Sequence, residues 1–304
     1  VRIAVWKTGH EIADTVAQAV AEGFDGELCD LQNLAAYSKN PNQIIQYYEI
    51  DSCLSGIYSQ WDVHLAYGIL RGADSVFKRI FHWFNIDRGY FNPSHYDGYY
   101  RISYKGTQAK YDADFSITSE YHGELQPVRK RTYAGRILIC PPTEHVCQFF
   151  GIDSEKWLSN ARFMAMSDAA ANYETRLKGD TRPIDWDNVK AIITFNSSVG
   201  WQALINGIPC LSDTTHSVVG SYYNAKSIDE AVELLHSKPR KPLLDFMASH
   251  QFTLAEIRQG LAWPLVNYYL TKYSSGLIRA KQLPPQYAST PSGSALKTRF
   301  QSNT

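Results

Sequence analysis

The sequence has no run approaching the roughly 18 to 20 uninterrupted apolar residues that a membrane-crossing helix needs. Its opening apolar run, Val1 to Trp6, is too short for a secretory leader, so a cytoplasmic location and no membrane contact are expected. The five cysteines, Cys29, Cys53, Cys140, Cys147 and Cys210, show no CxxC or CxxH spacing. That excludes a legible zinc site or disulfide framework and leaves buried thiols as the reading. Net charge is absent too, since 30 Lys and Arg balance 30 Asp and Glu, and no field of one sign coats the protein. One absence is local: no acidic residue follows Glu256, whereas Arg258, Lys272, Arg279, Lys281, Lys297 and Arg299 all do. The tail 282–304 is rich in Pro, Ser, Thr and Gly. It has too little apolar surface to fold alone and is expected to move freely or to order on a polyanion.

What is present points to two packed domains. A chain of 304 residues exceeds what one core usually organises. VRIAVW (1–6) is a strand, closed by Lys7-Thr8-Gly9-His10 and followed by helical spacing over 11–22. Further strands are expected over 26–31, around 62–70, and in FKRIFHWFNI (77–86). The pattern restarts with RILIC (136–140), which Pro141-Pro142-Thr143-Glu144 ends, and helices are expected over 146–150 and 154–163. NVKAIITF (188–195), a helix over 201–205, IPCLS (208–212) and a helix over 228–236 capped by Ser227 with Glu230 come next. A last helix over 253–269 opens with Thr253 and Glu256 in capping-box spacing, and Pro264 should kink it. Strands alternating with helices imply α/β layers around parallel sheets. A boundary is expected within 121–135.

The stretch Ala191 to Asp213 is the most informative. A strand runs into Asn196-Ser197-Ser198-Val199-Gly200, where small residues let backbone amides at a helix N-terminus approach an anion, phosphate above all. The same Asn196 or Ser197 also serves as an ordinary helix cap. Arg176 and Lys178, two residues apart, face one side if the segment is extended and then reach one diphosphate together; a solvated surface pair is the other reading. Thr143, after the first strand of the second half, stands where ligands meet strand ends, or simply ends a rigid turn.

In the first half Asp87, among Arg88, Tyr90, His95, Tyr96 and Arg101, suits a general base that takes a proton from an acceptor hydroxyl. Pairing with Arg88 or Arg101 to pin a loop is the alternative. His10, at the end of the first strand, is the second choice as base, or a capping or surface histidine.

The Ser-Ser turn with its helix resembles the donor-phosphate turn and "EAL..G.P" helix of capsule and sialic-acid transferases. Gln202-Ala203-Leu204 and Gly207-Ile208-Pro209 stand in the matching places. Gln202 replaces a common acid, and its place in the pattern implies a contact to the donor. This resemblance implies a GT-B glycosyltransferase, an α/β protein with two Rossmann-like domains facing each other across a cleft. The organisation it implies is an acceptor domain over 1–125, a donor domain over 126–252, a helix 253–278 packing back on the first domain, and a basic flexible tail over 279–304. It implies a nucleoside diphosphate sugar, a UDP-sugar foremost, bound by Arg176, Lys178, Ser197, Ser198, Thr143 and Gln202 with cations in place of a metal. Arg88, Tyr90, His95, Tyr96 and Arg101 would then hold the acceptor.

The motifs spread over Ile86 to Trp263, including "RLKG" and "QFTLAEIRQGLAW", also resemble a widespread group of uncharacterised phage-encoded proteins. Phage transferases that glycosylate hydroxymethylated pyrimidines share the GT-B architecture, and the basic tail would suit DNA as the partner, inside a host cell. A polysaccharide-directed transferase, a sugar-nucleotide epimerase and a non-catalytic nucleotide binder of the same fold are the other readings.

Overall fold

The computed structural model describes residues 1–30, 60–69, 77, 79–94, 97–129, 135–166 and 172–273. The chain divides into two compact units. Among the described residues, one comprises Val1–Thr107 with 250–273, and the other Gln108–Ser249. The division falls at Thr107 and Ser249, against the 125/126 and 252/253 boundaries expected from the sequence, because the chain leaves the first sheet immediately after its fifth strand and re-enters it at the sixth.

In the first unit β1 (Ile3–Lys7), β2 (Glu27–Asp30), β3 (Val63–Tyr67) and β4 (Trp83–Arg88) are parallel, and β5 (Tyr99–Tyr104) and β10 (Gln251–Thr253) follow in antiparallel pairing. The order β10-β5-β4-β3-β1-β2 places β1 between β2 and β3, so connections leave it in opposite directions. β1 and β3 are apolar and buried along nearly their whole length, as strands covered on both faces must be. Helix α1 (Glu11–Phe24) buries Val16, Ala17, Val20 and Phe24. It meets α8 (Leu254–Arg258) at Gly23, where a Cβ would lie 1.8 Å from the Ile257 carbonyl oxygen.

In the second unit β6 (Arg136–Cys140), β7 (Asn172–Thr175), β8 (Val189–Thr194) and β9 (Cys210–Ser212) form an all-parallel sheet in the order β7-β6-β8-β9. The helices are α2 (Glu144–Phe150), α3 (Ser154–Met166), α4 (Val199–Ile205), α5 (Val218–Tyr223), α6 (Ile228–Ser237) and α7 (Lys241–Ser249). Ile137, Ile139, Ala191, Ile193 and Leu211 pack on Ala161, Ala165, Ile228 and Ala231 in one core. Each unit is thus an α/β layer structure with a Rossmann-like run of parallel strands, in which the first strand lies between the second and the third.

Several expectations are corrected. The strand expected over 77–86 begins at Trp83, and residues 77 and 79 are helical. The aromatic cluster near Tyr99 and Tyr100 is a strand, β5. The helix expected over 253–269 is two, α8 and α9 (Trp263–Tyr273). The break falls at Gly260, whose φ of 73° is a left-handed conformation open to glycine. Pro264 sits in the first turn of α9, where its missing N–H costs nothing.

Candidate functional site

In open parallel sheets ligands bind outside the carboxyl ends of the strands, where the strand order reverses. In the second unit that point is the gap between β6 and β8. Thr194, at the end of β8, closes it: its buried hydroxyl donates to the Cys140 carbonyl at 2.9 Å and accepts the Ser197 amide at 3.3 Å. Ser197 Oγ in turn accepts the Val199 amide at 3.4 Å. The turn is held on its other side by Gln108, which is 6% exposed. Its amide nitrogen donates to the Asn196 carbonyl, and its Oε1 accepts the Val218 amide at 3.0 Å. One buried side chain therefore clamps the turns that lead into α4 and α5.

The groups left unspent at this edge are informative. Ser198 occupies the N-cap position of α4, yet its side chain makes no cap bond. Thr143 occupies the same position at α2, also without a side-chain bond. Phe150 and Phe195 flank His216, with ring centroids 4.3 and 5.6 Å from the imidazole. The His216 backbone is fixed by Asp213 Oδ1, which accepts the Thr215 and His216 amides at 2.9 and 2.7 Å. Burial lowers the pKa of His216; Asp213 opposes this and Lys110 adds to it. The imidazole is accordingly neutral at neutral pH, with no hydrogen bond to either ring nitrogen among the described residues. Hydroxyls, a helix start, a neutral imidazole and the exposed Lys110 can together hold a phosphorylated ligand and pass a proton. Gln108, Lys110 and His216 had no motif to mark them. The placement that selected His10, a histidine just past a strand, would also have selected His216.

Arg176 and Lys178 lie past the end of the strand before them. β7 ends at Thr175, and the two residues lie in a loop rather than on one side of an extended segment. The Arg176 guanidinium donates to the carbonyls of Asp180, at 2.9 Å, and Arg182, and bracing that loop occupies it. Lys178 stands in the exposed turn before Gly179, whose φ is 101°, and it has no ion pair among the described residues. Gln202 lies within α4 with its side chain exposed.

The first unit differs. Its turn after β1, at the switch point of its own sheet, directs the Thr8 and Gly9 amides onto Asp14 Oδ1 at 2.9 and 3.2 Å, so a carboxylate of the chain itself fills the anion position there. His10 is the N-cap residue of α1, exposed and without a side-chain cap bond. Asp87 is taken up on both oxygens: Oδ2 accepts Arg101 Nη2 at 2.6 Å and Oδ1 accepts the Arg88 amide at 2.8 Å. Arg101 is buried; it also donates to the Thr107 carbonyl at 2.9 Å and to the Arg88 carbonyl, and it stacks over the buried Tyr90 at 5.4 Å. These contacts brace the β4–β5 turn. The Arg88 side chain hydrogen-bonds Tyr67. His95 and Tyr96 lie outside the described residues, as does the basic tail 279–304.

Two Asp-x-Asp triplets, the metal-holding pattern of the other large transferase fold, are also present, and both are engaged locally. Asp112 Oδ1 accepts the Asp114 amide. Asp185 accepts Asn188 Nδ2, while Asp187 pairs with Arg129 at 3.0 Å. Among the described residues no group of three or more His, Cys, Asp or Glu is placed to hold a metal ion. Among them also, no helix is long and apolar enough to cross a membrane.

No protein-family model matches the chain, and no curated protein sequence does. Among solved structures it is similar to the beta Kdo 2,4 transferase of Thermosulfurimonas dismutans KpsC, at 11% identity and a TM-score of 0.40 over 82% of this chain and 89% of that one. It is also similar to the beta Kdo 2,7 transferase of the same KpsC, at 10% identity and a TM-score of 0.41 over 87% of this chain and all of that one. At such scores the fold description rests on strand order and register alone.

Proposed function

We propose that the protein is a glycosyltransferase whose second unit binds a nucleoside diphosphate sugar at the carboxyl edge between β6 and β8. The observation that carries this is the state of the β8–α4 turn. It is pinned from below by Thr194 and from the side by Gln108, while the Ser198 and Thr143 hydroxyls stay free of cap bonds. A turn held rigid beside two hydroxyls without cap bonds is preorganised for an anionic ligand. Lys110 and Lys178 supply charge for the leaving diphosphate, and neutral His216 can hydrogen-bond it.

On the acceptor side His10 takes the hydroxyl proton in this proposal. Its imidazole has no partner among the described residues, whereas both oxygens of Asp87 are engaged. The acid-free basic stretch after Glu256 supports DNA carrying hydroxymethylated pyrimidines as the acceptor.

The test is transfer of labelled sugar from a panel of nucleoside diphosphate sugars, UDP-sugars first, to modified duplex DNA, unmodified DNA and a polysaccharide. Transfer to any acceptor that is lost in Ser198→Ala/Lys178→Ala upholds the transferase reading. Labelling of polysaccharide but never of modified DNA removes the DNA acceptor. Absence of both transfer and donor hydrolysis removes the enzyme.

A further inference from the structure

The amino edge of the first sheet, opposite the turn that carries His10, presents aromatic rings to solvent. Tyr104 ends β5 and pairs with Phe84 at the start of β4, so it lies at this edge. Its ring is parallel to those of Tyr269 and Tyr273 on α9, with centroids 5.5 and 5.1 Å away and planes within 9° and 5°. Tyr269 is buried, Tyr104 half-buried, and Tyr273 is 47% exposed. Tyr269 and Tyr273 are themselves parallel at 6.2 Å, so the three rings form one cluster that runs from the core at Tyr269 to the surface at Tyr273. Beside it Phe81 is 55% exposed. Lys105 bridges the two, its Nζ 5.0 Å from the Phe81 centroid and 5.7 Å from that of Tyr104.

The backbone supports this placement. Lys105 has φ 51°, a left-handed conformation that a lysine does not favour, and its amide donates to the Trp83 carbonyl at 3.1 Å. That conformation, held by the surrounding structure, sets where the lysine leaves the chain. The local charge is positive. Lys272, one residue before Tyr273, lies 5.6 Å from the Tyr268 ring. Asp62, whose charge reaches His82 at this edge, is paired with Arg2.

Exposed aromatic rings interleaved with cations match a ligand that has both flat π faces and a regular negative charge. Neutral glycans have no need of the lysines, and an anionic polysaccharide, whose C–H faces also pack on rings, is told apart by competition with heparin. We infer that this edge binds single-stranded nucleic acid, with bases stacking on Phe81 and Tyr273 and phosphates meeting Lys105 and Lys272. The inference deepens the DNA-acceptor reading above and gives that polymer a second contact, on the edge opposite the acceptor hydroxyl. A strand displaced when a base is extruded is the kind of ligand it fits.

Binding of the full chain to a fluorescent thymidine oligonucleotide of about 20 residues, at about 50 mM salt and without any donor nucleotide, tests it. Affinity should fall as salt rises. Phe81→Ala and Tyr273→Ala should each weaken it about fivefold to thirtyfold, and Lys105→Gln should lower the salt slope by about 0.7. Melting temperatures within about 2 °C of the parent confirm that the variants fold. No oligonucleotide binding, or binding untouched by both aromatic substitutions, overturns the inference, as does tighter binding to heparin than to the oligonucleotide. Nucleoside diphosphate binding is read separately: its loss alone counts against the donor site and leaves this inference standing.

Discussion

The first unit's turn after β1 points the Thr8 and Gly9 amides at Asp14, whereas the second unit's turn after β8 points the Ser197 and Val199 amides at the Thr194 and Ser197 hydroxyls and leaves the Ser198 side chain without a cap bond. Both turns lie where the strand order reverses. In both, the amides at the turn carry a partial positive charge. One neutralises it with its own carboxylate, and the other meets it with neutral hydroxyls, which leave the charge uncompensated. The contrast extends to histidines. His64 is wholly buried in the first sheet, its Nδ1 accepting from Trp6 Nε1 at 3.1 Å and its Nε2 unpartnered, whereas His216 is half-buried at the ligand edge. A shared topology therefore indicates where a site can be, and the local hydrogen-bond partners decide which copy is one.

The largest expected effect separates the histidines. Burial lowers the pKa of His64 to about 4, below its ordinary 6.5, so the folded state resists a proton that the unfolded chain accepts. The stability due to neutral His64 is complete above about pH 6.5 and is lost as pH falls toward 4, by about 3 kcal/mol in total. Urea titrations at pH 7 and pH 4 measure this. His64→Phe should flatten the dependence, and an unchanged loss in that variant would assign it elsewhere.

Next in size, Asp87→Asn should cost about 1.5 to 3 kcal/mol of stability, because it leaves the buried Arg101 without its anion. Activity should fall with folding rather than ahead of it. A variant of full stability with turnover down about a hundredfold would restore Asp87 as the base. Thr194→Val, close in shape, removes the link from β8 to Cys140 and Ser197; about 1 to 3 kcal/mol of stability should go, with weaker donor binding. The smallest effect is Ser198→Ala. It touches a hydroxyl with no cap bond, so denaturant midpoints should stay within about 0.5 kcal/mol while ligand affinity falls by about 0.5 to 1.5 kcal/mol.

The strands β1, β6 and β8 were legible in the sequence because a strand covered on both faces must be apolar throughout. The caps at Ser227 and Thr253 were legible because their partners, Glu230 and Glu256, are three residues away. β7, Asn-Tyr-Glu-Thr, was missed because an exposed edge strand needs no apolar pattern. β5 does alternate, with Tyr100, Ile102 and Tyr104 set against Arg101 and Ser103, and it was missed because its aromatic and charged residues also suit an acceptor-binding cluster. The Ser-Ser turn could be read as an anion site from its small residues. What holds it could not, since Gln108 lies 88 residues from Asn196. The engagement of Asp87 and Arg176 likewise depends on which neighbours the fold supplies, and neither the Asp nor the Arg announces that locally.

In the proposed function the second unit's turn, and not the first unit's, holds the nucleotide phosphates. Calorimetric titration of nucleoside diphosphates into the parent protein, Asp14→Ala and the double variant Ser198→Ala/Lys178→Ala tests it most directly. The account predicts binding by the parent and by Asp14→Ala, and a loss of at least about tenfold in the double variant, as expected when charge-assisted contacts are removed. Binding that survives the double variant unchanged, or that is lost with Asp14→Ala alone, would contradict it.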